Sequence, residues 1–397
     1  MDDQTLLDLA ASWSFFDKPP PKSVPRRVRL PRSLSNRVAL IIQGVRRCGK
    51  STLLSQLMDR YDLDRQDCLF VNFEDPRLAS HLGFETLERL TELFKASRPK
   101  DRQLTFFFDE IQWVQGWERW LCAKLERPAR SSFIVSGSNA HLLSGELSTL
   151  LTGRHITVEL FPFDLAEYRT LRSKVSTLEY LKRGGFPEPA TSEDGEALLR
   201  QYFIDILQRD VRERAQARSS RALRQVAQMV FESAGSELSL RRIAAAAGLS
   251  VETAASYLEA CEQAYLLFAC PWFSYSERKR SGRNRKYYPV DPGLRRVTVS
   301  ATGEDLGKAL ECATFVELKK RCGDVYYWRE GGEVDFVVHG QRGPVPIQVT
   351  LKTPSERHMR ALDAFFESFP HAEEPVMVNL EGFPNALDAI PTRRSHA

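Results

Sequence analysis

The sequence contains no apolar run approaching the roughly 18 residues that cross a bilayer, which removes helical membrane proteins from consideration and makes a membrane partner unexpected. It also lacks the basic stretch and apolar segment of a secretory leader, opening instead on Met1-Asp2-Asp3-Gln4, so a cytoplasmic location is expected. The seven cysteines are scattered and include no Cys-x-x-Cys pair, which excludes a disulfide framework and a zinc knuckle. Six of them read as small buried apolar residues, and the seventh, Cys48, lies inside a motif taken up below. No self-similarity recurs at a period of roughly 20 to 50 residues, so a solenoid is excluded. Charge of one sign is also scarce: a net +4 does not by itself demand nucleic acid, although the cations are unevenly placed. What is present is an ordinary globular composition, 42% apolar and 27% charged over 397 residues, enough for about two to four domains.

Residues 1–37 hold Pro19-Pro20-Pro21 and then Arg26, Arg27, Arg29 and Arg32, and read as an arm that is either solvated or in contact with a partner. Residues 38–164 alternate short apolar strands with helical stretches, the pattern of a parallel sheet covered on both faces. The expected strands are 38–43, 68–73, 104–108, 132–136 and 155–160. Residues 165–230 turn helical and mixed in charge, broken at Gly184-Gly185-Phe186-Pro187, and read as a helical lid. Within 231–297, two apolar-periodic helices flank Gly248-Leu249-Ser250; the glycine suits the tight turn of a helix-turn-helix and Ser250 can cap the second helix. The cation-rich stretch 277–286 follows where a winged helix would carry its wing. Residues 298–397 read as a small α/β domain with a helix over 307–320, strands over 325–328, 333–338 and 345–351, and a last helix near 356–366.

The chemistry is concentrated in Gly44-Val45-Arg46-Arg47-Cys48-Gly49-Lys50-Ser51-Thr52, placed directly after an apolar strand. A triphosphate needs backbone N–H groups that curl around its oxygens and a helix N-terminus aimed at it; Gly44 and Gly49 permit the curl. Lys50 supplies a cation to the β and γ phosphates, and the Ser51 hydroxyl can enter a Mg2+ shell. Arg47, Cys48 and Thr52 complete the ATP-binding loop and the start of its helix. A second apolar strand ends in Asp109-Glu110, where Asp109 can hold the metal through water and Glu110 can activate the attacking water, so hydrolysis is expected besides binding. A third ends in Val135-Ser136-Gly137-Ser138-Asn139, making Ser138 or Asn139 a candidate γ-phosphate sensor. Arg154, after Leu151-Thr152-Gly153, is expected at the carboxyl edge of the sheet, placed to enter a neighbouring subunit's site in a homo-oligomer.

These motifs, with Val71-Asn72-Phe73-Glu74-Asp75-Pro76-Arg77, Phe108-Asp109-Glu110-Ile111-Gln112, Gly184-Gly185-Phe186-Pro187-Glu188 and Glu333-Val334-Asp335-Phe336, resemble those of the bacterial and archaeal AAA family ATPases whose core is followed by a C-terminal domain of unknown function. The resemblance spans nearly the whole chain. It implies an AAA+ type P-loop core with ATP and Mg2+, a helical lid, a winged helix and a terminal domain like restriction endonucleases. Nucleases of that fold use an acid on the first helix, an aspartate on a strand and an acid-x-lysine on the next. Here Glu311 or Glu317 and Asp335 fill the first two places, but Gln348 and Thr350 stand where the acid and lysine belong. Strand alternation puts Lys352 on the face of Gln348, one step further along. A degenerate site that binds or docks is therefore expected over active cleavage.

DNA contact is expected through Arg278, Lys279, Arg280, Arg283, Arg285 and Lys286, because the second helix of the helix-turn-helix carries Glu252, Glu259 and Glu262 and no cation. Three readings remain open: an ATP-hydrolysing switch acting on nucleic acid, a nucleotide-gated scaffold that recruits proteins with little hydrolysis, and an ATP-regulated nuclease.

Overall fold

The computed structural model describes residues 1–127, 129–138, 151, 153–299 and 305–390, in two compact units, Met1–Leu160 and Phe161–Ala397. Among the described residues no helix is long and apolar enough to cross a membrane.

The first unit is built on five parallel strands: β1 (Ala39–Gln43), β2 (Cys68–Asn72), β3 (Leu104–Asp109), β4 (Ser131–Gly137) and β5 (His155–Glu159). Their order across the sheet is β2-β3-β4-β1-β5. All five fall where the apolar runs predict them. The central three are buried on both faces, as continuous runs such as Leu104-Thr105-Phe106-Phe107-Phe108 require. Register matters most for the chemistry. Ile42 lies opposite Ser136 and Phe108 opposite Val135, so β1, β3 and β4 end level with one another and open on a common edge. Helices α1 (Asp3–Trp13), α2 (Lys50–Arg60), α3 (Phe84–Ala96) and α4 (Trp117–Glu126) belong to the same unit.

The first half of the expected arm is part of this core. Asp2 caps α1 through the Thr5 N–H, and Leu6, Leu9 and Ala10, spaced as one helical stripe, join the apolar cluster containing Leu69, Val71 and Phe106. The Trp13 indole N–H donates to Asp75 Oδ2 at 2.7 Å. The rest of the arm lies along α2, where Gln56 Nε2 donates to Ser23 Oγ and to the Val24 carbonyl, both at 2.7 Å. Arg26 Nη1 reaches the Cys48 carbonyl at 2.7 Å.

The second unit opens with helices from Leu165–Leu171 to Ser220–Glu232, including a π-helical turn at Ile206–Val211. Gly184 breaks the helical run with φ at 74°. A Cβ there would collide with Asp291, whose carboxylate accepts the Gly185 N–H at 2.6 Å. Helices Leu240–Ala247 and Val251–Gln263 follow, with Gly248 left-handed between them and Ser250 accepting from the Thr253 N–H. Next come the antiparallel pair β6 (Leu267–Cys270) and β7 (Lys286–Pro289). The terminal part has helix Leu306–Cys322, then β8 (Tyr326–Arg329), β9 (Glu333–His339), β10 (Pro344–Val349) and β11 (Val376–Val378), in the order β11-β10-β9-β8, with helix Glu356–Ser368 before β11. The short β11, parallel to β10, was not expected from the sequence; three residues give too little alternation to read. Strand β10 stops at Val349, two residues short of the predicted 345–351.

Candidate functional site

The loop leaving β1 turns tightly before entering α2. The Cys48 N–H donates to the Val45 carbonyl at 3.3 Å, Arg47 and Gly49 take left-handed φ values of 67° and 99°, and Lys50 begins the helix. Gly44 is required by close packing, because a Cβ would run into the Leu160 carbonyl. Cys48 is buried with its thiol donating to that same carbonyl at 3.3 Å, and burial pushes its pKa up, so it packs and does not react. Arg47 is exposed on the loop, and Thr52 is exposed on the first turn of α2 beside Ser51.

Lys50 is buried in the cradle. Its ammonium lies 3.2 Å from the Gly44 carbonyl, 3.4 Å from that of Val45 and 3.3 Å from Glu110 Oε1. The adjoining carboxylate is held from the first turn of α2 and from two strands. Ser51 Oγ donates to Asp109 Oδ2 at 2.5 Å, Asn72 Nδ2 donates to the same oxygen at 3.3 Å, and Ser136 Oγ donates to Oδ1. Burial, and then the neighbouring charge of Glu110, raise the Asp109 pKa to about 6. For Glu110, burial acts in the same direction, but the Lys50 charge, a hydrogen bond from Gln112 and the Arg46 charge outweigh it and leave its pKa lowered. Glu110 has a left-handed φ of 54°; its N–H donates to Ser136 Oγ at 3.3 Å and its Oε2 accepts from Gln112 Nε2 at 2.6 Å. Arg46, also in the loop, pairs with Glu74 at 2.8 Å.

Ser51 and Asp109 thus present hard oxygen donors side by side, the type of pair that Mg2+ takes when phosphates and waters supply the remaining ligands. Among the described residues no group of three or more His, Cys, Asp and Glu could hold a metal. Ser138 is buried, with its Oγ 3.5 Å from Gln112 Nε2. Asn139 lies outside the described residues.

Arg154 requires a correction. The Ala39 N–H donates to its carbonyl at 2.9 Å, so it stands where β1 and β5 begin. In a parallel sheet that is the amino edge, a strand's length from the phosphate loop. Its guanidinium pairs with Glu126 at 2.7 Å. Three polar groups of the site were not singled out from the sequence: Asn72, Gln112 and Ser136. Each lies at or just beyond the carboxyl end of a strand of the parallel sheet, where such sites are built.

A family model described as an AAA domain matches residues 36–169, and two domains of unknown function, DUF8612 and DUF4143, match 175–305 and 306–392. An uncharacterized protein of Methanocaldococcus jannaschii is 31% identical over 355 residues, spanning 81% of this chain and 77% of that protein. The chain belongs to the AAA-type P-loop ATPases. An uncharacterized protein of Haemophilus influenzae is 28% identical to this AAA ATPase over 338 residues, spanning 80% of the chain and 84% of that protein. Among solved structures, AMPPCP-bound DnaA from Aquifex aeolicus matches 56% of the chain and 81% of its own at 16% identity, with a TM-score of 0.28.

The second unit of this AAA ATPase brings together most of the residues expected for a nuclease-like site. Glu311 on helix Leu306–Cys322 accepts from the Tyr288 hydroxyl at 2.6 Å. Asp335 on β9 accepts the Val349 N–H at 2.8 Å, and Gln348 on β10 accepts the Asp335 N–H at 3.3 Å and donates to the Glu333 carbonyl at 2.7 Å. The ammonium in this cluster is not that of Lys352. Because β10 ends at Val349, alternation does not carry as far as Lys352, which lies exposed on a bend. Lys286 of β7 takes the place: 1% exposed, its Nζ is 2.6 Å from Glu333 Oε1 and 4.0 Å from Glu311 Oε1. Burial alone would lower its pKa, but the Glu311 and Glu333 charges outweigh burial and raise it. Burial, followed by the Glu311 charge, raises Asp335 to about 7. Glu317, the alternative first acid, instead pairs with Arg321 at 2.8 Å.

The same finding corrects the expected DNA contacts. Lys286 is enclosed and cannot meet a phosphate. Arg280 pairs with Glu277 and donates to the Tyr326 hydroxyl at 3.2 Å, and Arg283 pairs with Glu330 at 2.9 Å over the Trp272 ring. Arg278, Lys279 and Arg285 remain exposed.

Proposed function

We propose that the chain is a Mg2+-dependent ATP hydrolase whose nucleotide state reorients the second unit on nucleic acid. The observation that carries this reading is the double pairing at the phosphate loop, Lys50 with Glu110 and Ser51 with Asp109. A bound triphosphate gives Lys50 a stronger partner at the β and γ phosphates, so Glu110 is released from it. The freed carboxylate then takes the proton of a water whose oxygen attacks the γ phosphorus while the bond to the β,γ-bridging oxygen breaks. Ser51 and Asp109 would hold Mg2+, which would neutralise phosphate charge when bound. Gln112 orients Glu110, and Ser138 is assigned as the γ-phosphate sensor. Arg154, remote from its own site, is assigned to the site of a neighbouring subunit in a homo-oligomer.

Coupling to the second unit starts at Leu160, the last residue of the first. Gln43 and Cys48 both hydrogen-bond to it, so a change in the loop reaches the point where the chain passes on. In the second unit the helical run is the lid. The capped helix pair with the β6–β7 strands is a winged helix, and the terminal sheet is a degenerate nuclease-like domain in which the Lys286 ammonium stands among the acids. ATP turnover measured with and without duplex DNA tests the reading. Stimulation by DNA that disappears in Lys50→Ala and Glu110→Gln is expected, and turnover that is absent under every condition would overturn it in favour of a non-hydrolysing scaffold.

A further inference from the structure

Resting on the nucleic-acid reading above, we infer that the nucleic-acid surface of the chain is an arginine face on helices Ser220–Glu232 and Leu240–Ala247, which takes the phosphate backbone of duplex DNA. From Arg214 through Gly248 the sequence holds six arginines and two glutamates. Five of the arginines, Arg218, Arg221, Arg224, Arg241 and Arg242, are exposed, and among the described residues none of the five pairs with a carboxylate. Elsewhere in the second unit the exposed Arg283, Arg296 and Arg329 each reach a Glu. Leaving five cations unpaired on adjoining elements costs self-repulsion, which a polyanion relieves.

The packing brings them to one surface. Ala222, Leu223, Val226, Ala227, Val230 and Phe231 are buried, which leaves Arg221 and Arg224, three residues apart, together on the outer stripe of their helix. Gln225 Nε2 donates to the Ala246 carbonyl at 3.0 Å and fastens the two helices side by side. Arg221 precedes Gln225 by one turn and Arg242 precedes Ala246 by one turn, each about 6 Å along its axis from that bond. Arg218 lies just before Ser219, which caps the first of the two helices.

The chemistry selects among anionic partners. All five are arginines, whose planar fork meets two phosphate oxygens at once. None of the exposed large apolar residues falls between 212 and 248, so the face has nothing to insert into a lipid layer. Helix Val251–Gln263, which would enter the major groove in an ordinary helix-turn-helix, carries Glu252 and Glu259 on exposed positions. Binding is therefore to backbone phosphate, independent of base sequence and steep in salt.

The test is fluorescence anisotropy of the full chain with a labelled random duplex across a salt series. Each lost phosphate contact makes the slope of log affinity against log salt shallower by about 0.9, so Arg221→Ala/Arg224→Ala flattens it by about 2. The wild-type advantage over that variant then shrinks about twelvefold between 50 and 200 mM salt. Arg241→Ala/Arg242→Ala behaves alike, and both variants keep wild-type melting temperatures and ATP affinity. Wild-type slopes in both double variants, or the loss following Arg278→Ala/Lys279→Ala instead, would overturn the assignment while leaving the nucleic-acid reading standing. Tighter binding to phosphatidylserine vesicles than to duplex would overturn it in favour of a membrane. A wild-type chain that binds no duplex even at low salt would remove the nucleic-acid reading itself.

Discussion

Replacing Glu110 with Gln is expected to tighten nucleotide binding while stopping hydrolysis. The Lys50 ammonium and the Glu110 carboxylate are both buried and 3.3 Å apart. At an effective dielectric near 20 their attraction is about 5 kcal/mol, and a triphosphate must displace it before Lys50 can turn to the phosphates. Desolvation of the two groups offsets much of that figure, which leaves about 1–3 kcal/mol opposing nucleotide entry, or roughly 5- to 150-fold in affinity. Glu110→Gln keeps the side chain's shape and its contact with Gln112 but removes the charge that holds Lys50. The dissociation constant for a fluorescent ATP analogue, titrated with Mg2+, should fall by that factor. Phosphate release should fall by about 10²- to 10⁴-fold, because the proton acceptor is gone. Binding that weakens in the variant, or hydrolysis that survives in it, would refute the competition between Glu110 and nucleotide for Lys50.

Further expectations concern other parts of the chain. Lys286→Met leaves Glu311 and Glu333 without their shared cation, and urea denaturation should show a loss of about 3 kcal/mol; an unchanged midpoint would mean that the ammonium does not stabilise the cluster. Because Asp335 has a folded-state pKa raised to about 7, the wild type loses stability as pH rises from about 4 towards 7, where the folded state holds a proton that the unfolded chain has released. Asp335→Asn removes that loss, so its melting temperature relative to wild type should be higher at pH 8 than at pH 5; a pH-independent difference would contradict the assignment. Arg154→Ala should cut turnover by about 10³-fold or more while leaving ATP affinity intact, and mixing it with Lys50→Ala subunits should restore activity if the arginine acts across an interface.

Legibility from sequence followed the physics of each region. The five core strands were plain because buried parallel strands read as unbroken apolar runs, and the loop at 44–52 because phosphate binding restricts which residues fit. The Ser250 cap was equally local. Lys286 was misplaced because it sits in a run of cations, and only strand alternation with Tyr288, which turns into the same cluster, distinguishes it from Arg283 and Arg285. Arg154 immediately precedes a parallel strand, and a residue in that place lies at the amino edge of the sheet. The stripe of Leu6, Leu9 and Ala10 was overshadowed by the prolines and arginines that follow. Arginines 218 to 242 read as mixed charge because pairing depends on three-dimensional neighbours, and among the described residues no carboxylate reaches any of the five exposed ones.

Calorimetric titration of the intact, folded chain with ATP in the presence of Mg2+ tests the central claim most directly. Saturable one-site binding that is lost in Lys50→Ala and weakened in Ser51→Ala is predicted. A chain with a wild-type melting profile that takes up no nucleoside triphosphate, or a Lys50→Ala variant that binds as well as wild type, would contradict the account.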